Sequence, residues 1–187
     1  MRKASTIILI VISVIFLFSC ASRISDEEVR VILTDLVPRS QQLNDIFWGN
    51  GIKPEDEDAV PLITVTTAQY YTVAEESPYK SVGDMKAAAE KVFSKDYLNS
   101  VYTVMFEGSS DIEPRFADNE EGLLTIDICY NSYNFKTKIF PETAVVKETG
   151  ADLIRAEVDC KTNGEPGKMN ISLRRQDGVW LIDSPTY

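Results

Sequence analysis

The chain has 187 residues, 44% hydrophobic side chains and a formal net charge of −10 at neutral pH, which suits one packed domain behind a short leader. An acidic surface repels phosphate backbones and anionic headgroups, so nucleic acid is not expected as a partner; the charge favours a basic protein partner or simply keeps the surface solvated. The chain contains no histidine, which removes Ser-His-Asp and Cys-His catalysis and the commonest zinc ligand.

Arg2 and Lys3 precede an apolar run of 12 residues from Ile7 to Phe18. A membrane-crossing helix needs roughly 20 such residues, whereas this length matches the apolar region of an export signal. The run ends in Leu17-Phe18-Ser19-Cys20. An aliphatic residue three places before a cysteine, with a small residue directly before it, resembles a bacterial lipobox; Phe18 is bulkier than that motif usually carries. The resemblance implies that residues 1–19 are a lipoprotein signal peptide, that Cys20 carries lipid, and that residues 20–24 form a short tether. Loss of Arg2 and Lys3 with the leader would take the net charge from −10 to −12. Acyl chains, at about 0.8 kcal/mol per buried CH₂, would then hold the protein on a membrane. The expected location is the bacterial cell membrane or envelope, facing the extracytoplasmic side.

Ser25-Asp26-Glu27-Glu28 reads as a capping box, with Ser25 as N-cap and Glu28 reaching back. Val29, Ile32, Leu33 and Leu36 follow with the spacing of an amphipathic helix. Pro38 is expected to kink or interrupt it. Leu43, Ile46, Phe47 and Trp48 resume the apolar face until Asn50-Gly51, a helix stop. "KPEDEDA" is an exposed acidic loop; its contiguous acids lack the alternating oxygens and glycine turn of a calcium loop. "PLITVTTAQYYTV" is β-prone. Ser81 to Asp84 forms a second capping box, before a helical face made by Met85, Ala89, Val92 and Phe93. Tyr97, Leu98, Val101 and Tyr102 continue that face past Ser94.

The second half changes period. "GLLTIDICYN", "YNFKTKIF", "ETAVVKET", "DLIRAEVDCK", "KMNISLRR" and "GVWLID" all suit strands, punctuated by Gly122, Thr149-Gly150, Asn163-Gly164 and Asp177-Gly178. Asp177-Gly178 is a hairpin signal. Close spacing implies an antiparallel sheet with the helices on its apolar face, hence an α+β fold and a single domain over residues 25–187. Alternation puts Cys129 beside Thr125 and Asp127, and Cys160 on the apolar face of its strand. This favours two separate thiols over a disulfide, without closing the question.

Little in the chain points to catalysis. Ser77-Pro78-Tyr79-Lys80 spells S-x-x-K, but Pro78 pushes Ser77 out of helical geometry and the companion motifs of penicillin-recognising enzymes are missing. There is no phosphate-binding glycine loop, no clustered metal ligands, and no legible carboxylate pair. The expectation is a non-enzymatic protein without metal or cofactor.

Helices followed by a strongly bent antiparallel sheet resemble the cystatin-like, nuclear-transport-factor-2-like cone. More specifically, "YYTVAEESPYKSVGDMKAAAEKVFSKDYLNSVY", the closing "NISLRRQDGVWLID" and "NDIFWGNG" are similar to segments of exported Gram-positive proteins that include the IseA-type inhibitors of cell-wall DL-endopeptidases. The resemblance implies a membrane-tethered binding module that inhibits or regulates a cell-wall hydrolase; it transfers no inhibitory residue. The alternative is a small molecule or peptide held in the concave face of the sheet, lined by Trp48, Tyr70, Tyr71 and Tyr130.

Overall fold

The computed structural model describes residues 24–62, 67–130, 132–133 and 137–187. It is a mixed α+β fold with two antiparallel sheets. Cys20 and the leader lie outside the described residues, as does the middle of "PLITVTTAQYYTV".

Helix α1 spans Asp26–Trp48 and begins with the expected capping box: Ser25 Oγ accepts from the Glu28 amide, and Glu28 returns the bond to the Ser25 amide. The helix runs uninterrupted through Pro38, so of the kink or interruption expected there, the interruption does not occur. Pro38 is exposed, while Leu33, Leu36 and Val37 before it and Leu43, Ile46 and Phe47 after it are all buried. An internal proline costs a helix about 3 kcal/mol. Each buried aliphatic or aromatic side chain returns about 1.5–3 kcal/mol, so the buried stripe prevails.

Strand β1, Tyr70–Thr72, is followed by helices α2, Val82–Ala89, and α3, Lys95–Tyr102. The expected Ser81 capping box opens α2, with Ser81 Oγ accepting from the Asp84 amide at 3.1 Å. The long helical face read from the sequence is divided, because Ser94 caps a new helix by accepting from the Tyr97 amide. A π-helical turn, Thr103–Glu107, extends α3. Strands β2, Phe116–Asp118, and β3, Leu124–Asp127, complete a small sheet in the order β1-β3-β2. Strand β3 stops at Asp127, so Ile128, Cys129 and Tyr130 leave the sheet in a turn rather than alternating along it.

The second sheet is a meander of β4, Thr137–Thr149, β5, Leu153–Thr162, β6, Glu165–Gln176, and β7, Val179–Ile182. The segments "KTKIF" and "ETAVVKET" belong to one strand, β4, whose register against β5 shifts between Phe140 and Val145 and again between Val146 and Glu148. Pro141 has no amide proton for the ladder. Within the same irregular stretch the Thr143 hydroxyl accepts from the Asp159 amide at 2.8 Å. Such bulges bend a strand. Asn163-Gly164 and Asp177-Gly178 close the β5–β6 and β6–β7 hairpins with all four residues at positive φ, the geometry that two-residue hairpin turns of this kind require.

Helix α1 lies along β4, antiparallel to it. Val146 N donates to Asp26 Oδ1, Arg30 Nε donates to Ala144 O, and Gln41 Nε2 donates to Thr137 O. Its stripe joins Ile154, Ala156 and Val158 of β5 and Ile171 and Leu173 of β6 in one hydrophobic cluster. The small sheet enters the same cluster through Phe116, Leu124 and Ile126. Phe106 bridges the parts, meeting Phe47 edge-on at 5.9 Å and Phe116 at 6.2 Å. The chain end is secured by a buried relay: Asn44 Nδ2 donates to Thr186 Oγ1, which donates to Ser40 Oγ.

Candidate functional site: a polar cleft at the end of the long helix

Among the described residues, the last carbonyls of α1 find partners from three directions. Gly49 N and Gly51 N donate to Asp45 O, and Tyr133 N donates to Trp48 O. Arg115 supplies the third, donating from Nη1 to Phe47 O and from Nη2 to Gly49 O. A cation at a helix C-terminus is favoured by the helix dipole, and the last turn of α1 carries no basic residue of its own. The approach is tight: a Cβ on Gly49 would sit 2.7 Å from Asp45 O.

Arg115 is 2% exposed, and no carboxylate among the described residues forms an ion pair with it. Burial pushes its pKa down, against the opposing pull of Tyr130, Asp127 and Asp45. The guanidinium carbon lies 4.5 Å from the Tyr130 ring centre and 5.3 Å from that of Phe116, so the two rings and the two carbonyls fix its plane. Ser132 Oγ accepts a longer bond at 3.4 Å. The Nε–H has no acceptor among the described residues.

Above it opens a cleft of about 360 Å³, bordered by Lys53, Glu57, Arg115, Asp127, Tyr130 and Ser132. Ile52, Pro61, Ile126 and Ile128 supply an apolar wall. Asp127 is 8% exposed; its Oδ1 accepts from the amides of Gln69 and Cys129, both at 2.9 Å. Oδ2 has no hydrogen-bond donor among the described residues. The acidic loop Glu55 to Asp58 flanks the cleft and is exposed as expected. Pro54 bridges Val73, and Glu55 N donates to Thr72 O, so this loop also covers the outer edge of β1.

The four aromatics expected to line the sheet are dispersed. Tyr130 borders the cleft. Trp48 packs near Tyr187 at 6.0 Å, Tyr70 donates its hydroxyl to Pro114 O, and Tyr71 sits half-buried on β1. Ser77 and Lys80 do not engage each other: Ser77 Oγ accepts from Tyr79 N, and Lys80 Nζ donates to Glu75 O. Cys129 and Cys160 are free thiols, one beyond β3 and the other on β5. The aspartate of "WLID" holds two elements together, since Asp183 accepts from Ser94 Oγ and from Arg174 Nε and so joins the end of β7 to the cap of α3. Among the described residues no group of three or more potential metal ligands converges, and no helix is long and apolar enough to cross a membrane.

No protein-family model matches the chain, and no curated protein matches it in sequence. Arg115 and its cleft are the most site-like feature among the described residues. Nothing in the sequence singles out Arg115 beyond its place next to Phe116, a residue type that is usually buried.

Proposed function

We propose that the protein is a membrane-tethered, extracytoplasmic binding module of a bacterial envelope, held by lipid on Cys20, whose partner is a protein of the cell wall. On this reading the bulged β4, the meander and α1 form a cystatin-like, nuclear-transport-factor-2-like cone within one domain. The module is non-catalytic and acts, as the resemblance to IseA-type inhibitors implies, by restraining a cell-wall hydrolase.

One observation carries the choice of a protein partner. The inner face of the four-stranded sheet is packed against the apolar stripe of α1, and the four aromatics that would line a ligand site there are dispersed. The accessible feature is instead the outer rim of the open cleft, with the exposed acids Glu55 to Asp58 and the exposed side chains of Val60 and Leu62. An apolar pair rimmed by negative charge is complementary to a basic, partly apolar protein surface.

Two measurements test this. Added protein should slow hydrolysis of peptidoglycan by a co-resident endopeptidase, and no inhibition at a large molar excess would remove the inhibitor reading. Substituting Cys20→Ala should abolish metabolic lipid labelling and release the protein from the membrane fraction; unchanged labelling would remove the tether.

A further inference from the structure

We infer that the cleft over Arg115 is a binding site for a free apolar α-amino acid, with the carboxylate held by Arg115 and Ser132 and the ammonium by Asp127. This goes beyond the partner reading, which uses the acidic loop and the outer rim.

The charges bordering the cleft balance, Lys53 and Arg115 against Glu57 and Asp127, in a chain whose net charge is −10. Both central groups carry unused capacity. A guanidinium has five N–H donors; that of Arg115 makes three hydrogen bonds, to two carbonyls and the Ser132 hydroxyl. It is buried without an ion-paired carboxylate, an arrangement that a ligand carboxylate would complete. Asp127 presents the converse. Two amides hold Oδ1, which fixes the carboxylate while leaving Oδ2 for a donor.

The remaining features set the size and character of the ligand. A volume of about 360 Å³ is at the small end for ligand pockets. The wall of Ile52, Pro61, Ile126 and Ile128 favours an aliphatic side chain. Tyr130 on the guanidinium face holds the fork in place before the ligand arrives, so little ordering is left to oppose binding.

The experiment compares leucine, leucinamide and N-acetylleucine on the intact folded protein, read by thermal shift and by the NMR signal of the Arg115 Nε–H. Leucine should raise the melting temperature and move that signal. Leucinamide lacks the carboxylate and N-acetylleucine lacks the ammonium; each should bind at least about tenfold more weakly, the equivalent of about 1.4 kcal/mol. Asp127→Asn keeps an acceptor for the two amides, so it should stay folded and lose the preference for leucine over N-acetylleucine. Ser132→Ala, at an exposed position, should weaken leucine and N-acetylleucine alike. An equal response to the three compounds, no response to leucine at millimolar concentration, or an unchanged preference in Asp127→Asn would overturn the assignment and leave Arg115 as a helix cap alone. None of these outcomes touches the hydrolase measurement, so the two readings fail separately.

Discussion

Arg115 restrains the end of a helix whose capped carbonyls lie 68 and 66 residues earlier in the chain. A lysine cannot reproduce this, because an ammonium is a point charge without the planar fork that spans two carbonyls. Hydrogen bonds to charged groups contribute about 1.5–3 kcal/mol, so Arg115→Lys should lower stability by about 2 kcal/mol in urea titration. An unchanged midpoint would mean that the carbonyls are satisfied in another way. Tyrosines set a second residue-scale expectation. Burial is the largest cause raising the pKa of Tyr70, pushed up to about 12, and of Tyr79, Tyr97, Tyr102 and Tyr130. The folded state then holds these phenolic protons more tightly than the unfolded chain. Their contribution is complete below the unfolded value near 10 and is lost as pH rises through the folded values. Denaturation midpoints should fall above pH 10, and ultraviolet titration should show late tyrosinate formation that becomes normal in denaturant.

At the scale of elements, the sequence was most legible where the information is local. Both capping boxes depend on four consecutive residues, and both formed at Ser25 and Ser81. The turns at Asn163-Gly164 and Asp177-Gly178 depend on two. Strand β5 and the second half of β6 alternate visibly because one face is buried. Expectations failed where distant packing decides. Nothing near Pro38 reveals that both flanking stripes join the same hydrophobic cluster, and nothing near Ile128 reveals that β3 has already ended. The cleft was equally hidden: Tyr130 stood out in the sequence, but Arg115, Asp127 and Lys53 come from separate segments that only the fold assembles. Pro38 also gives a test. Its ring is exposed, and its site lies between two well-packed turns. Pro38→Ala should therefore raise stability by about 1–3 kcal/mol through restored helix propensity, as measured by thermal or urea unfolding. Destabilisation would show that the proline shapes the helix to fit the sheet.

For the whole molecule, charge matters more through its distribution than its total. The exposed acids Glu55 to Asp58 crowd one loop beside the cleft, so a basic partner would be drawn to that end from a distance. Association should slow steeply as salt is added. Converting the four acids to their amides should reduce the association rate far more than it changes the dissociation rate, which surface plasmon resonance with the purified hydrolase would resolve. A salt-independent rate would mean that the loop serves only to cover β1.

Helix α1 also acts as a ruler. Its N-cap follows Cys20 by five residues, a chain length of at most about 18 Å, and its 23 residues span about 35 Å. The cleft is at the far end of that rod. If Cys20 sits in a lipid leaflet, tether and helix together set the greatest height, about 53 Å, at which the rim of the cleft can meet another molecule. A target farther into the wall than that would be out of reach, whereas one within a few nanometres of the bilayer would be met directly. Lengthening the tether would then change which layer of the envelope the cleft samples while leaving the cleft itself untouched.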